Sequence, residues 1–140
     1  MEWLTLAVAL YGAGLSTVLA RLAWRRDRHS VRFFVSYHRR EGWAGLIVSV
    51  VNAGFRPVLL HDVWFETDDG GGYLNDLDEN LGLPRRLEEG EQLALAFDAE
   101  DVEVGTKALV VRDSHRREHR LDFTPDVRDQ VAELRLNAGR

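Results

Sequence analysis

Acidic side chains and glycines cluster in one stretch of the chain, and these are the residue types that could bind a hard cation. The acids are Asp68, Asp69, Asp76, Asp78 and Glu79, with Asn75 and three glycines at residues 70–72 among them. A calcium ion needs several oxygen ligands that converge on one point, and glycine lets a loop fold around it. The common calcium-loop pattern, however, requires a glycine where Leu81 stands and a glutamate where Leu87 stands. We therefore expect no metal and interpret the five acids as a partner-binding surface.

Histidine and cysteine do not form a metal-binding pattern either. His115 and His119 are four residues apart, a spacing at which two imidazoles on one helix face can share a zinc ion. They fall on a predicted hairpin, however, where this arrangement is lost. His61 alternates with Leu59 and Val63, so we expect it at the edge of the core. The chain has no cysteine, which excludes disulfides, thiolate zinc sites and cysteine nucleophiles.

Known catalytic motifs are missing from the chain. It contains no G-x-S-x-G turn, phosphate-binding glycine loop or metalloprotease helix. A serine and a histidine can still meet in three dimensions, so a hydrolase stays a distant alternative. The formal net charge of −5 argues against nucleic-acid binding, which depends on basic surfaces. We predict a non-enzymatic protein without catalytic residues or cofactors.

The first 24 residues predict a transmembrane helix, the element that would position the rest of the chain. Residues 3–20 carry no charge, and extension to Trp24 gives 22 residues, or about 33 Å of helix against a ~30 Å hydrocarbon core. Trp3 and Trp24 bracket this span, as expected for aromatic side chains at membrane interfaces. Two alternatives stay open: a buried helix of a soluble domain, and a cleavable signal peptide that lacks the usual positive n-region.

A basic flank follows the apolar run and predicts its orientation. Glu2 is the one charge before the run, whereas residues 25–30 form a basic linker. The positive-inside rule therefore places the bulk of the chain in the cytoplasm of a single-pass membrane protein. The arginines also face anionic membrane lipid. The predicted membrane-interface residues are Trp3, Arg21, Trp24, Arg25, Arg26 and Arg28.

Residues 31–123 have the alternating pattern of β-strands. Most of the strands alternate apolar and polar residues, while residues 43–52 are apolar on nearly both faces, as in a central strand. Short strands joined by turns, with no helix pattern between them, predict a mainly β, antiparallel β-sandwich. The predicted strands are residues 31–38, 43–52, 58–67, 92–98, 107–113 and 118–123, with a seventh near 72–74 or 86–87.

Two segments add a resemblance to a known fold family. Residues 50–58 (VVNAGFRPV) resemble the V-x-N-x-G-x-x-P-V turn of bacterial immunoglobulin-like domains. Residues 87–97 (LEEGEQLALAF) are similar to the L-x-x-G-E element and alternating strand of those domains. The resemblance covers residues 31–123 and implies an immunoglobulin-like sandwich in a membrane-anchored protein. It implies no particular activity, and the Cys and Trp core residues of antibody domains are absent.

Residues 124–140 predict a short amphipathic helix. Thr124 suits the N-cap and Pro125 the first helical position. Val127, Val131 and Leu134 recur at spacings of four and three, which gives a narrow apolar stripe. Such a stripe packs either on its own domain or on another chain, and we include these three residues in the predicted partner-binding set.

These features together predict a membrane-anchored protein-interaction module with a cytosolic sandwich. Its predicted partners are membrane lipid and a protein. One alternative is a structural subunit of a membrane-associated oligomer, in which the span and the terminal helix pair between copies. Another is an extracytoplasmic ligand-binding sandwich, which requires the opposite topology.

Overall fold

The computed structural model describes residues 2–26, 30–73 and 81–138. These ranges are mainly β, with an apolar helix before the strands and a second helix after them. The elements are α1 Glu2–Arg26, β1 Val31–Arg40, β2 Trp43–Asn52, β3 Val58–Thr67, β4 Gly72–Tyr73, β5 Arg85–Leu87, β6 Gln92–Asp98, β7 Thr106–Asp113, β8 Glu118–Asp122 and α2 Pro125–Ala138. The six predicted strands are confirmed with ends that differ by at most two residues, and both positions considered for a seventh strand form short strands.

Helix α1 is long enough and apolar enough to cross a membrane over Trp3–Arg25. Its small polar side chains bond within the helix: the hydroxyls of Ser16 and Thr17 donate to the carbonyls of Gly12 and Ala13, each at 2.8 Å. None of the span is buried against the rest of the chain. The alternative of a buried core helix is therefore wrong.

The strands form two antiparallel sheets. One sheet has the order β1-β2-β6; the other has the order β4-β3-β7-β8, with β5 also paired to β3. The β1–β2 hairpin is regular from Val31 opposite Asn52 to Arg40 opposite Trp43. We call residues 30–73 and 81–138, which hold both sheets and α2, the domain.

The inward faces of the two sheets share one hydrophobic core. Phe65 of β3 lies near its centre, 4.9 Å from Phe97 of β6 and 6.2 Å from Phe123 between ring centroids. The contact between Phe65 and Phe97 joins the two sheets, since β3 and β6 belong to different ones. The core strands alternate as predicted, because every second residue of β6 (Leu93, Leu95, Phe97) is buried.

Strand β3 departs from simple alternation at His61. Its register with β7 shifts between Leu60 and Asp62, so one extra residue is accommodated as a β-bulge. Leu60 and Val63 are therefore both buried, whereas the His61 side chain is 57% exposed. The expectation that His61 lies at the core edge is wrong, because the bulge reverses the faces on either side of it.

Helix α2 packs on its own domain. Val131 joins the main core and Leu134 packs with Ala44 and Ala99; their side chains are 4% and 9% exposed. Val127 is half-buried against the main core. The prediction that this stripe binds a partner is thereby corrected for Val131 and Leu134, because the open end of the two sheets covers their apolar surface.

The strand directions give the domain two distinct ends. The near end is where β1 begins, next in the chain to α1; it includes residues 53–57, 88–91 and 114–117. The far end includes residues 41–42, 68–71 and 99–105 together with α2. Strands of up to ten residues separate the two ends by about 30 Å.

Candidate interaction surface

The predicted acidic loop lies at the far end, and Asp69 shapes it. The Asp69 carboxylate accepts hydrogen bonds from the Thr67 hydroxyl and from the N–H of Gly71, the latter at 2.9 Å. These two bonds hold the pKa of Asp69 below its usual value, the Thr67 hydroxyl contributing most. The Asp69 carboxylate therefore stabilises the turn that follows β3.

Asp68 ties the same loop to α2. Its carboxylate oxygens lie 3.2 and 3.4 Å from the guanidinium nitrogens of Arg128, which also donates to the carbonyl of Phe123 at 3.2 Å. The other predicted acids of this surface, Asp76, Asp78 and Glu79, lie outside the described residues. Asp68 and Asp69, the two predicted acids that the structure describes, thus both form hydrogen bonds or ion pairs within the domain.

Basic residues from later strands neutralise part of the acidic segment. Residues 62–103 contain 14 acids and two arginines, which predicts a strongly acidic face. On the outer face of β3, however, Glu66 lies 3.0 Å from the Lys107 ammonium group and also pairs with Arg120. The hydrogen bond from Lys107 is the main cause that lowers the pKa of Glu66. The acidic surface is accordingly smaller than the sequence indicates.

A cleft of about 670 Å³ lies at the far end, beside the β1–β2 turn. Its lining includes Arg39 and Arg40, the acids Asp98 and Glu100, and Trp43. Tryptophan and arginine are the residue types most enriched at the energetic centres of protein interfaces. Six of its ten lining residues are charged or polar side chains: Arg39, Arg40, Glu41, Asp98, Glu100 and Asn137.

Two features fix the Trp43 side chain in this cleft. Its indole N–H donates to the Asp98 carboxylate on β6. Gly45 leaves room for the ring, because a Cβ there would lie 2.6 Å from Cζ2 of Trp43 and would also clash with the carbonyl of Phe97. Trp43 is therefore a positioned side chain, of the kind that binds with little loss of rotamer freedom.

No pattern in the sequence predicts this cleft as a whole. Its lining comes from β1, β2 and the turn between them, from the end of β6 and the segment after it, and from the end of α2. These segments are far apart along the chain. The one local signal is the segment Arg39-Arg40-Glu41-Gly42-Trp43: two arginines and a tryptophan next to a turn at Gly42, whose φ is 79°.

The predicted membrane-interface residues occupy both ends of α1. Trp3 and Trp24 are 83% and 61% exposed, and Arg21 and Arg25 are exposed as well. The 22 residues from Trp3 to Trp24 correspond to about 33 Å along the helix axis. Arg26 ends α1, although its side chain lies outside the described residues, as does all of Arg28.

Among the described residues, the serine and aspartate contacts of histidine fall on different imidazoles. His119 contacts the buried Asp113 carboxylate at 3.1 Å, while the Ser36 and Ser114 hydroxyls contact two other imidazoles, those of His38 and His115. Within residues 2–26, 30–73 and 81–138, no group of three or more His, Asp and Glu side chains could hold a metal ion.

Comparisons with known proteins supply no assignment. No model of a known protein family matches the chain, and no match is found among curated proteins. The features that can indicate a function are therefore the exposed apolar helix, the two ends of the domain and the far-end cleft.

Proposed function

We propose that this protein is a single-pass, membrane-anchored interaction module. Helix α1 crosses the bilayer, and the cytosolic domain binds a partner protein through the far-end cleft. The observation that carries the proposal is the exposure of α1: its large apolar side chains from Trp3 to Trp24 are 49–83% exposed. Soluble monomers rarely leave so large a continuous apolar surface in water, whereas lipid accommodates it.

The arrangement of strands supports an immunoglobulin-like sandwich as the cytosolic domain. Lettered in chain order, β1, β2 and β6 correspond to strands A, B and E, and β3, β7 and β8 to strands C, F and G. These are the two groups that immunoglobulin-type sheets contain. The short strands β4 and β5, which lie between β3 and β6 in the chain, pair with β3 here, whereas in the constant-type fold the fourth strand joins the A-B-E sheet.

The geometry of the two ends supports a partner site away from the membrane. Because only four residues separate the end of α1 from the start of β1, the near end is tethered to the bilayer, and the far-end cleft lies about 30 Å from that end. A soluble protein can approach a surface at that distance. Arg39, Arg40 and Trp43 supply the charged and aromatic side chains that protein interfaces favour.

Charge reversal at the cleft tests the partner site. In native membranes, we expect R39E/R40E to reduce recovery of proteins that co-purify with the full chain after gentle detergent extraction. R85E/R86E is the matched control, since Arg85 and Arg86 are exposed arginines on β5 outside the cleft. Equal recovery with both variants would contradict a partner site at the far end.

A C-terminal reporter tests the orientation. A fused reporter that is active only outside the cytoplasm should be silent, because the arginine-rich flank holds the C-terminal side of α1 in the cytoplasm. An active reporter would instead favour the extracytoplasmic ligand-binding alternative.

A further inference from the structure

A second basic segment, far from the linker in sequence, lies at the near end of the domain. The turn at residues 114–117 joins β7, which ends at Asp113, to β8, which begins at Glu118. His115, Arg116 and Arg117 are all exposed in it. A buried carboxylate holds the turn, so these side chains project from a fixed backbone.

That carboxylate belongs to Asp113, whose side chain is 1% exposed. One of its oxygens accepts the N–H groups of His115 and Arg117 at 2.8 and 3.0 Å, and the other lies 3.1 Å from Nε2 of His119. The N–H of Ser114 also donates to the carbonyl of Leu59 at 2.9 Å. The turn is therefore part of the folded domain rather than a loose loop.

Arg116 adopts a backbone conformation that arginine rarely takes. Its φ is 61°, and among the described residues it is the one non-glycine residue with positive φ. Glycine or asparagine occupies this region at less cost than a long side chain does. The domain thus keeps an exposed arginine at a position where its backbone conformation has a cost.

The sheet orders bring this turn to the corner of the domain where the anchor enters. Strand β6 is an edge of one sheet, and β5 lies at an edge of the other. The short link of residues 88–91 keeps these two edges together. The opposite edges of the two sheets, β1 and β8, therefore also face each other. The facing sheets are about 10 Å apart. From Arg26 to Val31 the chain spans at most about 17 Å. The turn therefore lies at the same end and the same edge of the domain as the start of β1, which is where the chain arrives from α1.

The two corners of the near end differ in net charge. The β5–β6 corner carries Glu88, Glu89 and Glu91 together with the exposed Arg85 and Arg86, and Glu88 pairs with Arg86 at 2.8 Å. At the β1–β8 corner, Glu118 is paired with Arg112 at 3.2 Å, and Arg116 and Arg117 project from the turn. An anionic surface would attract the second corner and repel the first.

We propose that the turn at residues 114–117 binds anionic phospholipid headgroups through Arg116 and Arg117 and so holds the β1–β8 edge of the domain against the bilayer. Guanidinium groups bind phosphate oxygens in a bidentate manner. Two arginines near an anionic membrane favour the contact roughly thirty-fold in total. The inference rests on the proposed membrane span, which brings the bilayer within reach.

The test uses the full chain in lipid nanodiscs. Because the chain has no cysteine, a nitroxide attached at S114C reports on the turn alone, and a paramagnetic metal chelated by a headgroup-labelled lipid reports proximity. We expect the metal to enhance the spin relaxation of the nitroxide strongly in discs containing phosphatidylglycerol and weakly in phosphatidylcholine discs. This difference between the disc types should be lost at high salt. R116N/R117N should abolish the difference, whereas R39Q/R40Q, which removes two arginines at the far end, should preserve it.

A stability measurement separates loss of binding from loss of folding. R116N should raise the unfolding midpoint slightly in neutral discs, because asparagine tolerates positive φ better than arginine does. Equal relaxation in both disc types would overturn the headgroup contact, and so would a loss of the difference in R39Q/R40Q as large as in R116N/R117N. Neither result would contradict the membrane span. If the unlabelled full chain fails to float with neutral vesicles, the membrane span itself is wrong and this inference falls with it.

Discussion

The side-chain Nδ2 of Asn52 lies 3.0 Å from the carbonyl oxygen of Leu87, and this contact joins two turns at the near end. The same amide donates to the carbonyl of Arg56 at 2.8 Å, and its oxygen accepts the N–H of Gly54 at 2.9 Å. Asn52 is fully buried. The two segments that resemble immunoglobulin-like domains, residues 50–58 and 87–97, thus meet at a single side chain.

Removal of this amide should destabilise the domain strongly. N52A leaves two carbonyls and one N–H without their partner in a buried site, and each such group costs about 1–3 kcal/mol. We expect the free energy of unfolding to fall by about 3 kcal/mol, measured by urea denaturation of the detergent-solubilised full chain with tryptophan fluorescence. S49A, in the same strand, is the control and should change it by less than about 0.5 kcal/mol. An unchanged N52A would contradict the role of Asn52.

The packing of α2 on its own domain predicts different results for two leucines of that helix. Leu134 is 9% exposed and Leu136 is 77% exposed. L134A should lower the free energy of unfolding by about 2–4 kcal/mol, because it leaves a cavity beside Ala44 and Ala99. L136A should lower it by less than about 0.5 kcal/mol. Similar effects would indicate that the helix is not docked as described.

Acid should destabilise the domain in part through Asp113. Burial alone raises the pKa of this carboxyl, but hydrogen bonds from Arg117, His119 and His115 outweigh burial, and the pKa lies below its usual value. Because the pKa is lower in the folded chain, the stabilisation is complete above the unfolded-state pKa of about 3.9 and is lost as the pH falls through the folded-state value.

The variant D113N should therefore lose less stability than the wild type between about pH 6 and pH 3. D122N neutralises an aspartate whose side chain is 78% exposed and should keep the wild-type acid dependence. Denaturation midpoints measured across this range provide the comparison. Parallel curves for D113N and wild type would show that the buried carboxylate does not contribute.

A methyl group at Gly45 should disturb the far-end cleft. In G45A the new Cβ meets the Trp43 ring and the carbonyl of Phe97, and neither β2 nor β6 can move without breaking their pairing. We expect a loss of about 2 kcal/mol of stability and a shifted Trp43 fluorescence. G12A introduces the same methyl group where nothing lies within 4 Å and should leave both readouts unchanged.

The strands could be predicted well because the features that define a strand lie within a few neighbouring residues. β2, β3 and β6 begin and end at the predicted residues, since alternation and flanking turns define them. The faces of β3 around His61 could not be predicted, because a bulge depends on how β7 pairs with the strand. The packing of Val131 and Leu134 on the same chain likewise depends on the open end of the sheets.

The candidate surfaces were harder to predict because they join distant segments. The sequence predicts that Asp68 binds another protein, but in the structure it pairs with Arg128, which is 60 residues later in the chain. Arg116 and Arg117 give no local sign that the sheet orders bring them to the same edge of the domain as the start of β1. Trp43 and Glu100 likewise meet in one cleft only after β2 and β6 pair.

The most direct test of the central claim, that α1 lies in lipid, is alkaline carbonate extraction of native membranes that contain the full chain. A helix that spans the bilayer resists this treatment, so the protein should remain in the membrane pellet and leave it only with detergent. Release of intact, folded protein into the detergent-free supernatant, with Trp3 and Trp24 protected inside it, would contradict the membrane anchor.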